Sequence, residues 1–444
     1  MSHTQYIARV VNLIPEGAQR LWSMSEEDAR QKLLDADSEA VLGIDGSFAL
    51  VAVDGRTVRM ARSLDRPMRY FLAKRHEGPA LFVADRIDTL QRALEDAGLG
   101  GQFHPSYTRM VPAHHIVELA LVGCPDPSPT YTRFFAPRQG ALRADLDEIG
   151  RRYIAALADE MAKWLAAIDR RDRTAPIGVT FSGGIDSGSV FLVTYHTMLR
   201  LGMAPARLKA FVLNLGDGPD VDQARAFLSD TGLSIFLEEI AGRTEDVDVE
   251  ATLRALEDYK SLDVECAAMG LMLCRGIRAR YPDWRYLADG DGGDENLKDY
   301  PIEDNPELTI RSVVDNVMLY QEGWGVGKIK HSLTYSGGLS RSYVRTYAPA
   351  SQYGFEGFSP YTRPNVIEIA EGIPFAALTH YDVPALYSLK GEIVRRGVKA
   401  VTGIEMPVFP KRRFQHGAVS RDAMRARLGR SERDYRRALE RLYG

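Results

Sequence analysis

In IGVTFSGGIDSGSVFLVTYHTML, residues 177–199, a short apolar run passes through two glycines straight into a stretch with helical spacing. A strand that feeds a helix through so tight a loop sends the chain back along the sheet, and the next strand then runs parallel to the first. The pattern continues downstream. LKAFVLNL, residues 208–215, reads as a strand; VDQARAFLSDTG, residues 221–232, reads as a helix closed by Gly232. WRYLADGDGGDE, residues 284–295, reads as a third strand running into a glycine-rich turn. This alternation predicts an α/β fold whose ligand crevice lies at the carboxyl ends of parallel strands.

The loop at 182–187 is suited to anions, because glycines let backbone N–H groups converge while the helix N-terminus adds partial positive charge. Ser182, Gly183, Gly184, Ile185, Asp186 and Ser187 are therefore candidate ligands of a polyphosphate. No GxxxxGK followed by Ser or Thr occurs, and GWGVGKI at 323–329 lacks both the spacing and the hydroxyl. A carboxylate inside a phosphate loop repels its ligand unless a hard cation intervenes, and Mg2+ favours one or two carboxylates plus phosphate oxygens. Taken alone, Asp186 reads equally well as a helix cap. The second acidic turn, GDGGDE at 290–295, supplies Asp294 at the end of another expected strand, so the pair is the candidate metal site. YSGGLSRS at 335–342 repeats SGG without an aspartate or a preceding apolar strand, and reads as an ordinary turn.

The first 140 residues differ in character. VLGIDGSFALVAV and DGRTVRMARS read as short strands joined by DG turns, and GPALFVADR as a further strand. GCPDPSPTYTRFFAPRQG, residues 123–140, reads as a linker, after which ADLDEIGRRYIAALADEMAKWLAAI has helical spacing. Two domains follow, 1–140 and 141–444, the second mostly helical beyond residue 300.

Of the 444 residues, 45% are hydrophobic and 26% charged, values of a folded globular chain. The net charge of −4 gives no reason to expect nucleic acid. From Lys390 to Gly444, fifteen Lys or Arg face six Asp or Glu, which reads as a solvated helix face or as attraction for an anionic ligand. Cys124, Cys266 and Cys274 suit neither a disulfide framework nor a zinc site. With no signal-like start and no apolar run near ~18 residues, the expectation is a cytoplasmic protein with no membrane partner. Oligomeric state, monomer or homo-oligomer, is left open.

SGGIDSGS, LKAFVLNL followed by PDVDQAR, and GDGGDENLKDY together resemble the asparagine synthetase family, whose synthetase domain is a PP-loop ATP pyrophosphatase. EDYKSLDVECAAMGLMLCRGIR, YVRTYAPASQYGFEGFSPYT and KRRFQHG are similar to later segments of that family. The resemblance implies a degenerate Ntn-type, β-rich (α+β) glutaminase domain followed by a PP-loop synthetase domain with a helical C-terminal part. Family glutaminases place a cysteine after the initiator Met; here Ser2 stands there, and the HRGPD-like and NGEIYN-like segments are missing. The expectation is a scaffold that does not hydrolyse glutamine, as in the β-lactam and carbapenam synthetases of the family. Those enzymes carry tyrosine where this chain has Asp291, so at that position it resembles the amide-forming branch. The family's ERxPFLD would put Arg at Phe358 and Asp at Arg363, which points away from aspartate as substrate.

The resemblance implies ATP and Mg2+ as cofactors, with a small-molecule carboxylate and amine as partners. The carboxylate is adenylated, AMP and pyrophosphate form, and the amine captures the acyl group, with a place in specialised metabolite biosynthesis. Leu213 and Gly290 would contact the nucleoside, Lys411 would stabilise developing negative charge, and Glu356 would deprotonate the amine. Asp291 completes the catalytic set. Glu356 reads also as a helix-terminal carboxylate and Lys411, within KRR, as surface charge. An intramolecular lactam synthetase, a peptide macrocyclase, a PP-loop sulfur transferase and an ATP-binding pseudoenzyme stay open as alternatives.

Overall fold

The computed structural model describes residues 9–55, 57–76, 78–120, 129–216, 219–299, 302–304, 308–319, 321, 347–409 and 427–444. The chain divides into two compact units, one built on residues up to Ala136 with the C-terminal Arg436–Gly444, the other spanning Pro137–Gln321 and continuing to Tyr435.

In the first unit, β1 (Arg9–Asn12), β2 (Arg20–Leu21), α1 (Glu26–Leu34) and α2 (Ser38–Leu42) precede the strands β3 (Gly46–Ser47), β4 (Ala49–Asp54), β5 (Thr57–Arg62), β6 (Arg69–Ala73) and β7 (Ala80–Ala84). Helix α3 (Ile87–Asp96) and strands β8 (Arg109–Met110), β9 (His115–Ala120) and β10 (Thr130–Arg133) complete it. Two four-stranded sheets form, ordered β1-β7-β6-β8 and β10-β9-β5-β4. Their facing residues, among them Val51, Val58, Met60, Tyr70, Leu81, Val83, Val117 and Leu119, make one core. The outer face of the first sheet, Phe71, Ala73, Ala80 and Phe82, is covered by Leu90 and Leu94 of α3. Alternation of side chains along each strand supplies both faces, which is why apolar residues occur at consecutive positions here.

Two expectations fail locally. Asp54-Gly55 closes the β4–β5 hairpin, in which Asp54 pairs with Thr57, but Asp45-Gly46 leads into β3 instead of turning between strands. The stretch read as a linker contains β10, which pairs antiparallel with β9 from Thr130↔Glu118 to Arg133↔His115. Its exposed edge position lets TYTR be polar and still form a ladder.

The second unit opens with α4 (Leu146–Arg171), capped by Asp145, whose side chain accepts from Asp147 N at 3.0 Å and Glu148 N at 3.1 Å. It then alternates β11 (Ile177–Thr180), α5 (Ile185–Arg200), β12 (Leu208–Asn214), α6 (Asp220–Asp230), β13 (Leu237–Ala241), α7 (Val249–Leu256), α8 (Ser261–Arg280) and β14 (Tyr286–Ala288). After α9 (Gly293–Asn296), α10 (Ile310–Asp315) and α11 (Ala348–Gln352) come β15 (Glu356–Phe358), α12 (Pro364–Glu371), α13 (Phe375–Thr379) and α14 (Val383–Thr402). All pairings of the sheet β13-β12-β11-β14-β15 are parallel. β11 comes first in sequence and sits centrally, with β12 on one side and β14 on the other. The chain order therefore reverses between β11 and β14, the place where such sheets open a crevice at their carboxyl edge.

Helix α14 lies against α4 with almost no side chain between them at one point. A Cβ at Gly150 would come within 2.6 Å of the Ile393 carbonyl oxygen, so only glycine permits this approach. The close crossing brings the buried stripe of α14, including Leu386, Leu389, Lys390, Ile393 and Val394, into the unit's interior.

Candidate active site

Both glycine-rich loops emerge at the carboxyl edge on either side of the reversal, one after β11 and one after β14. They touch. A Cβ at Gly290 would lie 2.8 Å from the backbone carbon of Asp186 and from Ser187 N, so the close seating of the loops requires glycine. In the first loop, Gly183 has φ +71° and Gly184 caps α5. Ser187 Oγ accepts from Ser182 N at 3.2 Å, folding the loop back on the helix it precedes. Beneath it Phe181, Phe191 and Phe227 form an aromatic cluster, with Phe181 edge-on to Phe227 at a centroid distance of 5.4 Å.

The two candidate metal carboxylates converge on one nitrogen. Lys390 Nζ lies 2.6 Å from Asp186 Oδ2, bonds Asp294 Oδ1, and stands 3.5 Å from Asp299 Oδ2. The lysine is 2% exposed. Burial works against its charge, but the carboxylates of Asp186, Asp294 and Asp299 outweigh burial and hold its pKa well above the ordinary lysine value. The ammonium offsets part of the negative charge of Asp186, Asp294 and Asp299.

Asp186 and Asp294 presented to one cationic centre fit Mg2+, which is content with one or two carboxylates and takes its remaining oxygens from phosphates and water. Among the described residues no cluster of three or more His, Cys, Asp or Glu forms a metal cage.

Asp291 is buried in the second loop, and its N–H donates to Asp289 Oδ1 at 3.0 Å. The same oxygen accepts from Ser359 Oγ at 2.7 Å, which ties the turn to the segment after β15. Leu213 is buried at the carboxyl end of β12. A cavity beside the first loop is lined by Thr180, Phe181, Ser182, Ser187, Gly270, Leu273 and Cys274. Burial, followed by the nearby Asp289 charge, pushes the Cys274 thiol up to about 12, so it stays protonated.

Glu356 is not at this edge. It opens β15 opposite Tyr286, the first residue of β14, whereas the loops follow the last residues of the strands. Its carboxylate pairs with Arg285 and, at 3.3 Å, with Arg171 at the end of α4. The expected base therefore stands at the amino edge of the sheet, ion-paired with two arginines, and not beside the two loops. Lys411, Ser2, Cys124 and the turn at 335–342 lie outside the described residues.

Sequence reasoning missed Lys390 and Asp289. The signal for Lys390 was available: it stands four residues after Leu386 and three before Ile393, on the apolar stripe of a helix, where a lysine is buried only with partners.

A central reversal in a parallel sheet, two glycine loops in contact and an acidic pair at their junction define a nucleotide-binding α/β domain of the PP-loop kind. Residues 165–376 match the family model described as asparagine synthase, so this stretch of the chain is an asparagine synthase domain. Its activity is therefore of the ATP-using, amide-forming ligase type. The solved structure of an NAD+ synthetase from Burkholderia pseudomallei is similar over 56% of this chain and 95% of its own, with 16% identity and a TM-score of 0.23. No curated protein matches the sequence. No helix among the described residues is long and apolar enough to cross a membrane.

Proposed function

We propose that this protein adenylates a small-molecule carboxylate with ATP, releasing pyrophosphate, and couples the acyl group to an amine without hydrolysing glutamine. The observation that carries the reading is the convergence of Asp186 and Asp294 on one cationic centre at the reversal between β11 and β14. A carboxylate oxygen attacks the α-phosphorus, the bond to the β-phosphate bridge breaks, and pyrophosphate departs with the negative charge. Amides of the 182–187 loop, at the N-terminus of α5, receive that charge. Mg2+ held by Asp186 and Asp294 would neutralise further phosphate charge when bound. Lys390 supplies a fixed ammonium to the same centre; on the resemblance alone, Lys411 is assigned to stabilise developing negative charge.

With Glu356 at the opposite edge, Asp291 is the carboxylate we assign to receive the proton of the attacking amine. Asp289 and the glycines on either side fix its place in the turn. The N-terminal unit, with Ser2 in place of a cysteine, serves as scaffold in this reading. The raised pKa of Cys274, beside the loop, speaks against sulfur transfer through that thiol. Specialised biosynthesis, in the cytoplasm, with separate or joined carboxylate and amine, completes the proposal.

Purified protein incubated with ATP, Mg2+ and a panel of carboxylates tests it. AMP and pyrophosphate are expected with the right acid; ADP and orthophosphate would overturn the chemistry.

A further inference from the structure

The hydroxyl of Tyr361 is buried against the helix that begins at the first loop. Tyr361 Oη lies 2.6 Å from Ser189 Oγ, and Ser189 Oγ donates to the carbonyl oxygen of Asp186 at 2.9 Å. A hydroxyl has one proton to give. Because Ser189 spends its own on Asp186, the proton between the two hydroxyls belongs to Tyr361, and the chain runs Tyr361 to Ser189 to the Asp186 carbonyl.

The same tyrosine also holds the second loop. A Cβ at Gly292, which has φ +99°, would stand 3.0 Å from Tyr361 Cβ and 3.3 Å from its carbonyl carbon, so the backbone at Tyr361 packs against the turn. Asn296 Nδ2, at the end of the short helix carrying Asp294, donates to the Tyr361 carbonyl at 2.9 Å and to Tyr153 Oη at 3.2 Å. Tyr153 stacks on Tyr361 with a centroid distance of 5.6 Å. Gln321 Nε2 donates to Asn296 Oδ1 at 3.1 Å, and behind it lies the buried Lys298–Glu371 pair at 3.3 Å.

We infer that Tyr361 is a positioning residue that sets Asp186 and Asp294 in register: its hydroxyl fixes the first turn of α5 through Ser189, and its backbone, through the Gly292 contact and its carbonyl, fixes the GDGGDE turn. It reaches the site through Ser189 and Asn296, not by contact with a substrate. The inference rests on the ATP-ligase reading only for the identity of the ligand that benefits.

Tyr361→Phe removes the hydroxyl alone, and Ser189→Ala removes the relay. Two measurements on the full chain apply to wild type, both single variants and the double variant. Equilibrium binding of Mg·ATP should weaken about threefold to tenfold in Tyr361→Phe, the worth of one buried hydrogen bond. The double variant should bind no worse than Ser189→Ala. Without any ligand, hydrogen exchange across 182–190 should rise in both single variants by a similar factor, again without further increase in the double variant, while exchange in 153–165 of α4 stays unchanged. Multiplying effects, or a folded Tyr361→Phe with unaltered exchange and binding, would overturn the inference. Wild type that fails to bind Mg·ATP would refute the functional proposal instead, and the exchange data alone would then decide the role of Tyr361.

Discussion

Lys390 Nζ and Asp186 Oδ2 meet at 2.6 Å although 204 residues separate them in sequence. The contact joins the first loop of the sheet to a helix near the end of the fold, and it depends on the glycine crossing that admits α14 beside α4. Removing the ammonium leaves Asp186, Asp294 and Asp299 facing one another without their shared countercharge. Lys390→Met should therefore cost about 3–5 kcal/mol of stability, as when one partner of a buried ion pair is deleted. Millimolar Mg2+ should restore a larger part of the lost denaturation midpoint in the variant than it adds to wild type. Equal Mg2+ shifts in the two proteins would show that the carboxylates do not form a cation site.

Glu356→Gln separates the amino edge of the sheet from the carboxyl edge. The carboxylate pairs with Arg171 and Arg285, both more than half exposed, so its loss should cost at most about 1 kcal/mol. AMP release and amide formation should each stay within about threefold of wild type. A selective loss of amide formation would return Glu356 to the role of base.

The sequence displayed the carboxyl edge better than the amino edge. Loops that bind phosphate need glycine, and glycine beside an aspartate after an apolar run stands out; that made Asp186, Gly290 and Asp294 legible before any coordinates. β13 and β15 went unread for opposite reasons. LEEIA has two adjacent glutamates that break any alternation and leave too short an apolar run to notice, and EGF has only three residues with a glycine at its centre. Missing β15 placed Glu356 after a helix, with nothing to show which edge of the sheet it occupies. Lys390 was counted as one of many basic residues near the end of the chain because its burial depends on tertiary contacts from α4 and both loops, which no local pattern contains.

Gly290→Ala tests the contact between the loops. The added Cβ would fall 2.8 Å from backbone atoms of Asp186 and Ser187, which cannot swing aside as a long side chain could. Relief requires the two turns to part, and overpacking of this kind costs about 1–3 kcal/mol. AMP formation should fall by two orders of magnitude or more, since an ångström of misplacement at a reacting centre costs about a hundredfold. Near-normal turnover in a folded Gly290→Ala protein would mean that the loops act independently.

The last prediction concerns pH. Asp258, just before α8, is buried and accepts from Tyr259 N at 2.6 Å and Lys260 N at 3.3 Å. Burial raises its pKa, Lys260 opposes this and Asp263 adds to it, leaving the group at about 7. Between the ordinary carboxylate value near 4 and that raised value, the folded chain holds a proton that the unfolded chain has released. Stability from this group is therefore complete below about pH 4, declines as pH rises towards 7, and is constant above. Asp258→Asn keeps an oxygen for both N–H donors and cannot ionise. Relative to wild type it should gain on the order of 1 kcal/mol or more by pH 8, with the difference closing at pH 4. Urea denaturation of both proteins across pH 4–8 measures this directly. Stability curves that run parallel through the interval would show that Asp258 titrates alike in the folded and unfolded chain.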